Sequence, residues 1–202
     1  YDKVMATYYQ QIYAIDAAVG MIRKALVESG EAKNTVIIYT SDNGFLCGSH
    51  GYGSKVLPYE ESSRVPLIIF DPRHTNSGKQ LRSAALTGNI DFAPTILALA
   101  GLDAPGNMDG ENLMQLYDAP QLQIHEALTL INVWGPKPVQ SLAVVTNDWK
   151  YIYWPHDKGD YTAAEELYDM HKDRLELKNL AGSQLAAEAL SAMQMRYDEA
   201  VR

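Results

Sequence analysis

The sequence contains a single cysteine, Cys47, and this scarcity limits how the fold can be held together. One cysteine excludes an intrachain disulfide framework and a zinc site built from several cysteines. No apolar run is long enough to cross a bilayer, so no membrane span is predicted. Residues 1–3 carry no signal-peptide pattern and lead directly into a predicted helix, which indicates that the chain starts in the middle of a protein.

Positive charge is also scarce, with 17 Lys and Arg against 25 Asp and Glu and a net charge of −8. An acidic chain is a poor match for nucleic acid or for an anionic membrane surface, so neither partner is expected. A local cationic site for a small anion is compatible with this balance. Hydrophobic residues make up 47% and charged residues 21%, which is typical of a globular protein rather than a disordered one.

The first part of the chain predicts a helix followed by a buried strand. Apolar residues spaced by three or four predict a core-facing helix over residues 4–28: Val4, Tyr8, Ile12, Ile15, Val19, Ile22 and Leu26. Residues 36–39 form an apolar, β-branched run that predicts a strand buried on both faces. A helix followed by a buried strand is half of a βαβ unit, so an α/β fold is predicted.

The later part of the chain differs from the first part in its pattern of apolar residues. Short apolar segments predict strands at residues 127–132, 141–146, 149–154 and 166–169. Their close spacing and tight turns predict an antiparallel sheet, which a helix over about 183–201 follows. We therefore predict two parts, an α/β part at residues 1–118 and a C-terminal α+β subdomain at residues 119–202.

Oxygen-bearing side chains follow the predicted buried strand directly, at Asp42 and Asn43. In open α/β sheets, ligands bind beyond the carboxyl ends of the strands. Carboxylate and amide oxygens are hard donors that suit Ca²⁺ or Mg²⁺. Two adjacent ligands do not complete the shell of such an ion, so the others must come from elsewhere. On residue type alone, Asp-Asn-Gly is more often a turn.

The glycine-rich segment 44–55 carries two further candidates, His50 and Lys55. A lysine ammonium is a compact point charge that can bind an oxyanion. A histidine can donate a proton to a leaving group or a hydrogen bond to an anion. Taken singly, each is typical of an ordinary surface side chain. Together with the preceding oxygen ligands, they predict a metal and anion site at the end of a strand.

The combination of motifs is more specific than its parts. Residues 34–44, 48–51 and 55–68 closely resemble the C-terminal half of the sulfatase family. Residues 89–101 are similar to the D-x-x-P-T helix of that family, and residues 149–181 resemble its C-terminal signature. The resemblance implies the C-terminal part of an alkaline-phosphatase-like sandwich, followed by a small antiparallel sheet and a C-terminal helix. It also implies hydrolysis of sulfate esters with Ca²⁺ rather than Mg²⁺.

The resemblance also implies roles for individual residues. Asp42 and Asn43 match the second pair of metal ligands of the family, and Lys55 matches the lysine that binds the sulfate group. His50 matches a histidine frequent in one branch and is the candidate proton donor. The implied substrate is a small sulfate ester or a sulfated glycan. The family is often periplasmic, secreted or lysosomal, which leaves the location of this chain open.

The nucleophile of the family is missing from the chain. That nucleophile is a formylglycine, made from Cys or Ser in a C/S-x-P-x-R motif, and no such motif occurs here. Cys47 lacks the following Pro and Arg. The resemblance therefore implies a fragment that needs the N-terminal half of the same protein and is inactive alone. The alternatives are a phosphoester or phosphonate hydrolase of the same superfamily, against which Asn43 argues because transition-metal sites favour histidine, and a truncated non-catalytic domain.

Overall fold

The computed structural model describes residues 1–202, which divide into two units. The first unit comprises residues 1–41 and 66–80, and the second comprises residues 42–65 and 81–202. The predicted α/β class is confirmed. The predicted division into residues 1–118 and 119–202 stays a prediction. None of the helices combines the length and the apolar character that crossing a lipid bilayer requires.

The first unit contains one long helix and two short strands. These elements are α1 (Asp2–Glu28), β1 (Ile37–Tyr39) and β2 (Ile68–Phe70). The strands pair antiparallel, with Ile38 opposite Ile69. The helix predicted over residues 4–28 and the strand predicted at residues 36–39 are therefore confirmed in position. The neighbour of β1 in this unit is the antiparallel strand β2, and the half of a βαβ unit stays a prediction.

The apolar stripe of α1 is not covered within its unit. No residue of α1 is buried, and four members of the predicted stripe are between 46% and 61% exposed: Val4, Ile12, Ile15 and Ile22. The strand β1 is half-buried rather than buried on both faces. The physical reason is that one helix and a two-stranded sheet offer no second layer against which a full helical face can pack.

Three short helices belong to the second unit: α2 (Glu60–Ser63), α3 (Phe92–Leu99) and α4 (Gln115–Asp118). Asp91 lies at the start of α3 and is fully buried. Its carboxylate accepts hydrogen bonds from the backbone amides of Gly88 and Glu111, both at 2.8 Å, and contacts His125 Nε2 at 2.7 Å. This carboxylate therefore satisfies a backbone amide at the helix start. It also connects the start of α3 to the loops that carry Glu111 and His125.

A four-stranded antiparallel sheet forms the larger part of the second unit. Its strands follow chain order, β3 (Leu128–Asn132), β4 (Ser141–Val145), β5 (Trp149–Trp154) and β6 (Ala164–Asp169). The C-terminal helix α5 spans Ala187–Ala200. The four predicted strands, the antiparallel sheet and the helix that follows it are confirmed, with bounds that differ by at most a few residues.

Both faces of this sheet are covered, because neighbouring strand residues point to opposite sides. One face packs on α5 through a cluster that includes Val144, Tyr151, Leu167 and Met193. The other face packs on the loop segment that precedes α2, through Leu46, Leu57, Tyr59, Ala143, Ile152 and Tyr168. The segment that carries the candidate site residues is therefore attached to the C-terminal sheet.

The hydroxyl of Thr95 connects α3 to the loop before α4. Thr95 is fully buried, and its Oγ1 accepts the backbone N–H of Leu113 at 2.9 Å. We expect Thr95→Val to lower the free energy of unfolding by about 1–3 kcal/mol, because it leaves a buried amide without an acceptor. Urea denaturation measures this change. Thr129→Val, at an exposed position of β3, is the matched control, and an equal effect of both substitutions would contradict the prediction.

Asp169 supplies a pH-dependent contribution at the end of β6. Its Oδ2 lies 2.9 Å from Lys172 Nζ, and this hydrogen bond holds the pKa of Asp169 below its ordinary value of 3.8. A carboxyl group with a lowered pKa stabilises the folded state above its ordinary pKa, and the contribution is lost as the pH falls through the folded-state pKa. We expect Asp169→Asn to be less stable than the wild type at neutral pH. The difference should shrink in acid denaturation series below pH 3.8, and a constant difference would contradict this account.

Candidate metal and anion site

The backbone that follows β1 is fixed by local hydrogen bonds around Asp42 and Asn43. Asp42 Oδ1 accepts the N–H of Asn43 at 2.8 Å, and the Asp42 carbonyl accepts Asn89 Nδ2 at 3.0 Å. Asn43 Nδ2 donates to the carbonyl of Gly44 at 2.8 Å. These contacts orient the side-chain amide of Asn43 so that its two ends have different partners.

Lys55 reaches the other end of that amide. Its Nζ lies 3.1 Å from Asn43 Oδ1, although the two residues are 12 positions apart in the chain. Both side chains are at least partly accessible, and Asp42 next to them is exposed. A carboxylate and an amide oxygen are donors that a hard divalent ion accepts, so the residues present fit part of a Ca²⁺ site. The ammonium beside them suits an oxyanion.

Ser62 holds the backbone on both sides of this contact. Its carbonyl accepts the N–H of Gly44 at 2.8 Å, and its Oγ accepts the N–H of Val56 at 2.8 Å. Ser62 is buried, with 3% exposure. The residues after Asn43 and Lys55 are therefore bonded to the same serine, which explains how a loop rich in glycine presents both side chains together.

Gly44 is required by the close approach of two backbone segments. A Cβ atom at this position would collide with the carbonyl oxygen of Glu61 and lie 3.0 Å from its carbonyl carbon. Any side chain would therefore separate the backbone of residue 44 from α2.

His50 lies in a more enclosed setting. Its ring stacks on Tyr59 with centroids 4.0 Å apart and an interplanar angle of 11°. Its side chain is 11% exposed, and its Nε2 lies 3.6 Å from Glu61 Oε2. Neither of these two atoms has a hydrogen-bond partner. The hydroxyl of Tyr59 donates to Glu166 at 3.1 Å, and burial raises the pKa of Tyr59, which keeps this donor protonated.

The structure therefore brings together three of the four predicted site residues, Asp42, Asn43 and Lys55. The contacts of His50 are instead with Tyr59 and Glu61. The functional roles of these residues stay predictions, because their arrangement alone does not identify a ligand.

A buried charge cluster lies behind the site and was not predicted from the sequence. The Lys150 side chain, from β5, is fully buried, and its Nζ lies 2.7 Å from Glu60 Oε1 and 2.8 Å from Glu176 Oε1. Glu176 is also fully buried, and its Oε2 accepts the N–H of Glu60 at 2.6 Å. Burial raises the pKa of Glu176, and the neighbouring ammonium of Lys150 opposes that change. The sequence signal that could have pointed to this cluster was a lysine at the second position of the otherwise uncharged strand 149–154.

A second group of ligand-type atoms belongs to this cluster. His50, Glu61 and Glu176 place ligand atoms within 4.8 Å of one another. Glu176 Oε1 has no hydrogen bond of good geometry, but it lies 2.8 Å from the ammonium of Lys150. This ion pair compensates the carboxylate of Glu176, because two buried opposite charges in contact neutralise one another. The ammonium of Lys150 thus supplies the positive charge beside Glu176. The three residues His50, Glu61 and Glu176 therefore do not require a metal ion.

Comparison with known proteins gives a consistent result. The Sulfatase family model matches residues 1–102. An N-acetylglucosamine-6-O-sulfatase of Bacteroides thetaiotaomicron is 32% identical over 193 residues, which cover 90% of this chain and 33% of that protein. An arylsulfatase K of Xenopus laevis is 32% identical over 187 residues, which cover 89% of this chain and 34% of that protein.

Solved structures agree with these relatives. A protein solved in complex with its substrate D-glucosamine-2-N,6-O-disulfate matches with a TM-score of 0.84 and 31% identity, over 94% of this chain and 38% of that one. The chain spans about a third of the length of the curated relatives it matches.

Proposed function

Because this chain belongs to the sulfatase family and has the alkaline-phosphatase-like fold of solved sulfatases, we propose that it supplies part of the metal and sulfate site of a sulfuric ester hydrolase. The observation that carries the proposal is the 3.1 Å contact between Lys55 Nζ and Asn43 Oδ1. It places an ammonium for an oxyanion beside an oxygen that suits a hard cation.

Asp42 and Asn43 are the proposed Ca²⁺ ligands. Their carboxylate and amide oxygens are hard donors, and the hydrogen bond from the Asn43 N–H to Asp42 Oδ1 limits the freedom of the carboxylate. When bound, the ion would stabilise negative charge on the transferring sulfuryl group. The remaining ligands are proposed to come from the N-terminal half of the same protein.

Lys55 is the proposed sulfate-binding residue. A preorganised ammonium next to the transferring group stabilises charge that develops in the transition state. Its position depends on the contact with Asn43 and on the hydrogen bond that fixes the following residue, Val56.

His50 is the proposed proton donor to the leaving alcohol. Its stacking on Tyr59 and its proximity to Glu61 would hold the imidazole in one orientation. Because the ring is nearly enclosed, donation would require the leaving oxygen, or a water molecule next to it, to reach Nε2. The measurement is the pH profile of kcat/KM for His50→Gln in the full-length protein. An unchanged acidic and basic limb would remove His50 from proton transfer.

The N-terminal half is the proposed partner of this chain for two reasons. The chain has no C/S-x-P-x-R segment, so the formylglycine nucleophile would come from outside it. The uncovered stripe of α1, which includes Ile12 and Ile22, offers an apolar face for further packing.

We expect the isolated chain to show no turnover of an aryl sulfate, because nothing in it can act as that nucleophile. The measurement is an assay of the purified chain beside a sample with Lys55→Ala. Turnover by the wild-type chain that Lys55→Ala abolishes would overturn this expectation, since a contaminating enzyme would remain active in both samples.

The proposed substrate is a sulfated sugar or an aryl sulfate. The similar proteins include an N-acetylglucosamine-6-O-sulfatase and an arylsulfatase K. Both names refer to sulfate esters, and only this class of substrate is proposed for the present chain. The test is metal analysis of the full-length protein with paired sulfate and phosphate esters of the same alcohol. Bound Ca²⁺ and a preference for the sulfate ester would support the proposal. A transition metal with a preference for the phosphate ester would support a phosphoester hydrolase instead.

A further inference from the structure

The segment between Lys55 and β2 is held from behind by two buried charges. Lys150 Nζ donates to the carbonyl of Pro58 at 3.0 Å and to Glu60 Oε1 at 2.7 Å. Glu176 Oε2 accepts the backbone N–H of Glu60 at 2.6 Å. The start of α2 is thus bound by a strand residue and by a loop residue that lie far away in sequence. Neither Lys150 nor Glu176 is exposed, so they have no role at the surface.

The same short helix holds the candidate site from its other end. Ser62 accepts hydrogen bonds from the N–H groups of Gly44 and Val56, each at 2.8 Å. These two amides belong to the residues that follow Asn43 and Lys55. Displacement of α2 would therefore move both candidate site residues, and it would move them together.

Backbone strain occurs at two points along this series of contacts. Val56 has a φ of 95°, which is a conformational outlier for a β-branched residue, and Glu176 has a φ of 52°. Strained backbone persists only where the surrounding structure holds it in place, and it is concentrated at functional sites. Lys55 immediately precedes one strained residue, and the buried carboxylate belongs to the other.

We propose that Lys150 and Glu176 are positioning residues, which act through Glu60 and Ser62 of α2 to hold the metal-binding and sulfate-binding side chains at their mutual distance. The inference rests on the proposed function for the roles of Asn43 and Lys55. The positioning itself is a property of the contacts and can be measured without any activity.

The experiment compares hydrogen exchange in full-length proteins that carry Glu176→Gln, Lys150→Met or Tyr151→Phe. Peptides that contain the amides of Gly44 and Val56 are followed by mass spectrometry. We expect the two cluster variants to exchange about tenfold faster at these amides, because local opening becomes easier when α2 loses its buried support. Tyr151→Phe is the matched control, since Tyr151 is the neighbouring residue of β5, packs against α5, and would lose one hydrogen bond to Glu165.

The exchange rates either support or refute the positioning role of Lys150 and Glu176. Equal acceleration in the control, or unchanged exchange in both cluster variants, would show that Lys150 and Glu176 contribute only general stability. If Lys150→Met does not fold, the isosteric Glu176→Gln carries the comparison. A Ca²⁺ titration of each protein separates the two proposals. A wild type that binds no Ca²⁺ and hydrolyses no sulfate ester would refute the proposed function, while the exchange comparison would still decide the positioning role.

Discussion

Lys55→Ala in the full-length protein is expected to lower kcat/KM for an aryl sulfate by about 100-fold or more. Lys55 Nζ lies 3.1 Å from the proposed metal ligand Asn43, so its charge is placed before the substrate arrives. Removal of a preorganised donor that faces developing negative charge typically costs about two to three orders of magnitude in rate. Alanine leaves no group that can take over this charge. Steady-state kinetics with an aryl sulfate measures the change.

The chain contains a matched control for this substitution. Lys79 Nζ donates to Asn76 Oδ1 at 2.6 Å, which is the same pair of groups without a neighbouring carboxylate ligand. Lys79→Ala is expected to leave kcat/KM unchanged. If Lys55→Ala kept the wild-type value as well, Lys55 would have no part in the site.

Gly44→Ala is expected to disrupt the site through the backbone. The added Cβ would collide with the carbonyl oxygen of Glu61, so the backbone of residue 44 and α2 must separate. Overpacking of this kind costs about 1–3 kcal/mol in the free energy of unfolding. The separation would also lengthen the hydrogen bond from Gly44 to Ser62 and so displace the neighbouring ligand Asn43. We therefore expect the affinity for Ca²⁺ to fall by about tenfold, which corresponds to a loss of about 1.4 kcal/mol in binding free energy. Denaturation and calorimetric titration with Ca²⁺ measure the two effects.

Gly53→Ala is the control in the same loop. A Cβ at Gly53 meets no atom within 4 Å, and its backbone is outside the left-handed region. This variant should keep both the stability and the Ca²⁺ affinity of the wild type. Equal losses in the two variants would mean that the loop tolerates no methyl group anywhere, and the close approach at Gly44 would explain nothing in particular.

The sheet of the second unit was predictable because its strands carry two different apolar faces. Neighbouring residues such as Ala143 and Val144 are both buried, one against the site loop and the other near α5. The helix α1 shows the limit of the same reasoning. Its period is a property of the sequence, whereas its burial depends on a surface that can cover it, and its unit provides none.

The candidate site was only partly predictable. The proximity of Asn43 and Lys55 followed from the resemblance, since two residues separated by a glycine-rich loop have no fixed distance in a pattern. The role of Lys150 was missed because it depends on the carboxylates that pair with the buried ammonium. Those carboxylates lie on other segments of the chain, so a local pattern does not reveal them. The alternation of residues 149–154 predicts a strand with one solvated face. The strand is confirmed, but both of its faces are covered, and the pattern gave no information on which charged groups would contact Lys150.

The membership of residues 42–65 has a consequence for the exchange of parts between relatives. These residues belong to the same unit as residues 81–202, although the strands on either side of them belong to the other unit. Glu60 from this insertion and Lys150 from the sheet compensate one another's charge. A chimera that takes one of these segments from a relative without the matching charge would leave the other charge buried and unpaired, so the two segments are best exchanged together.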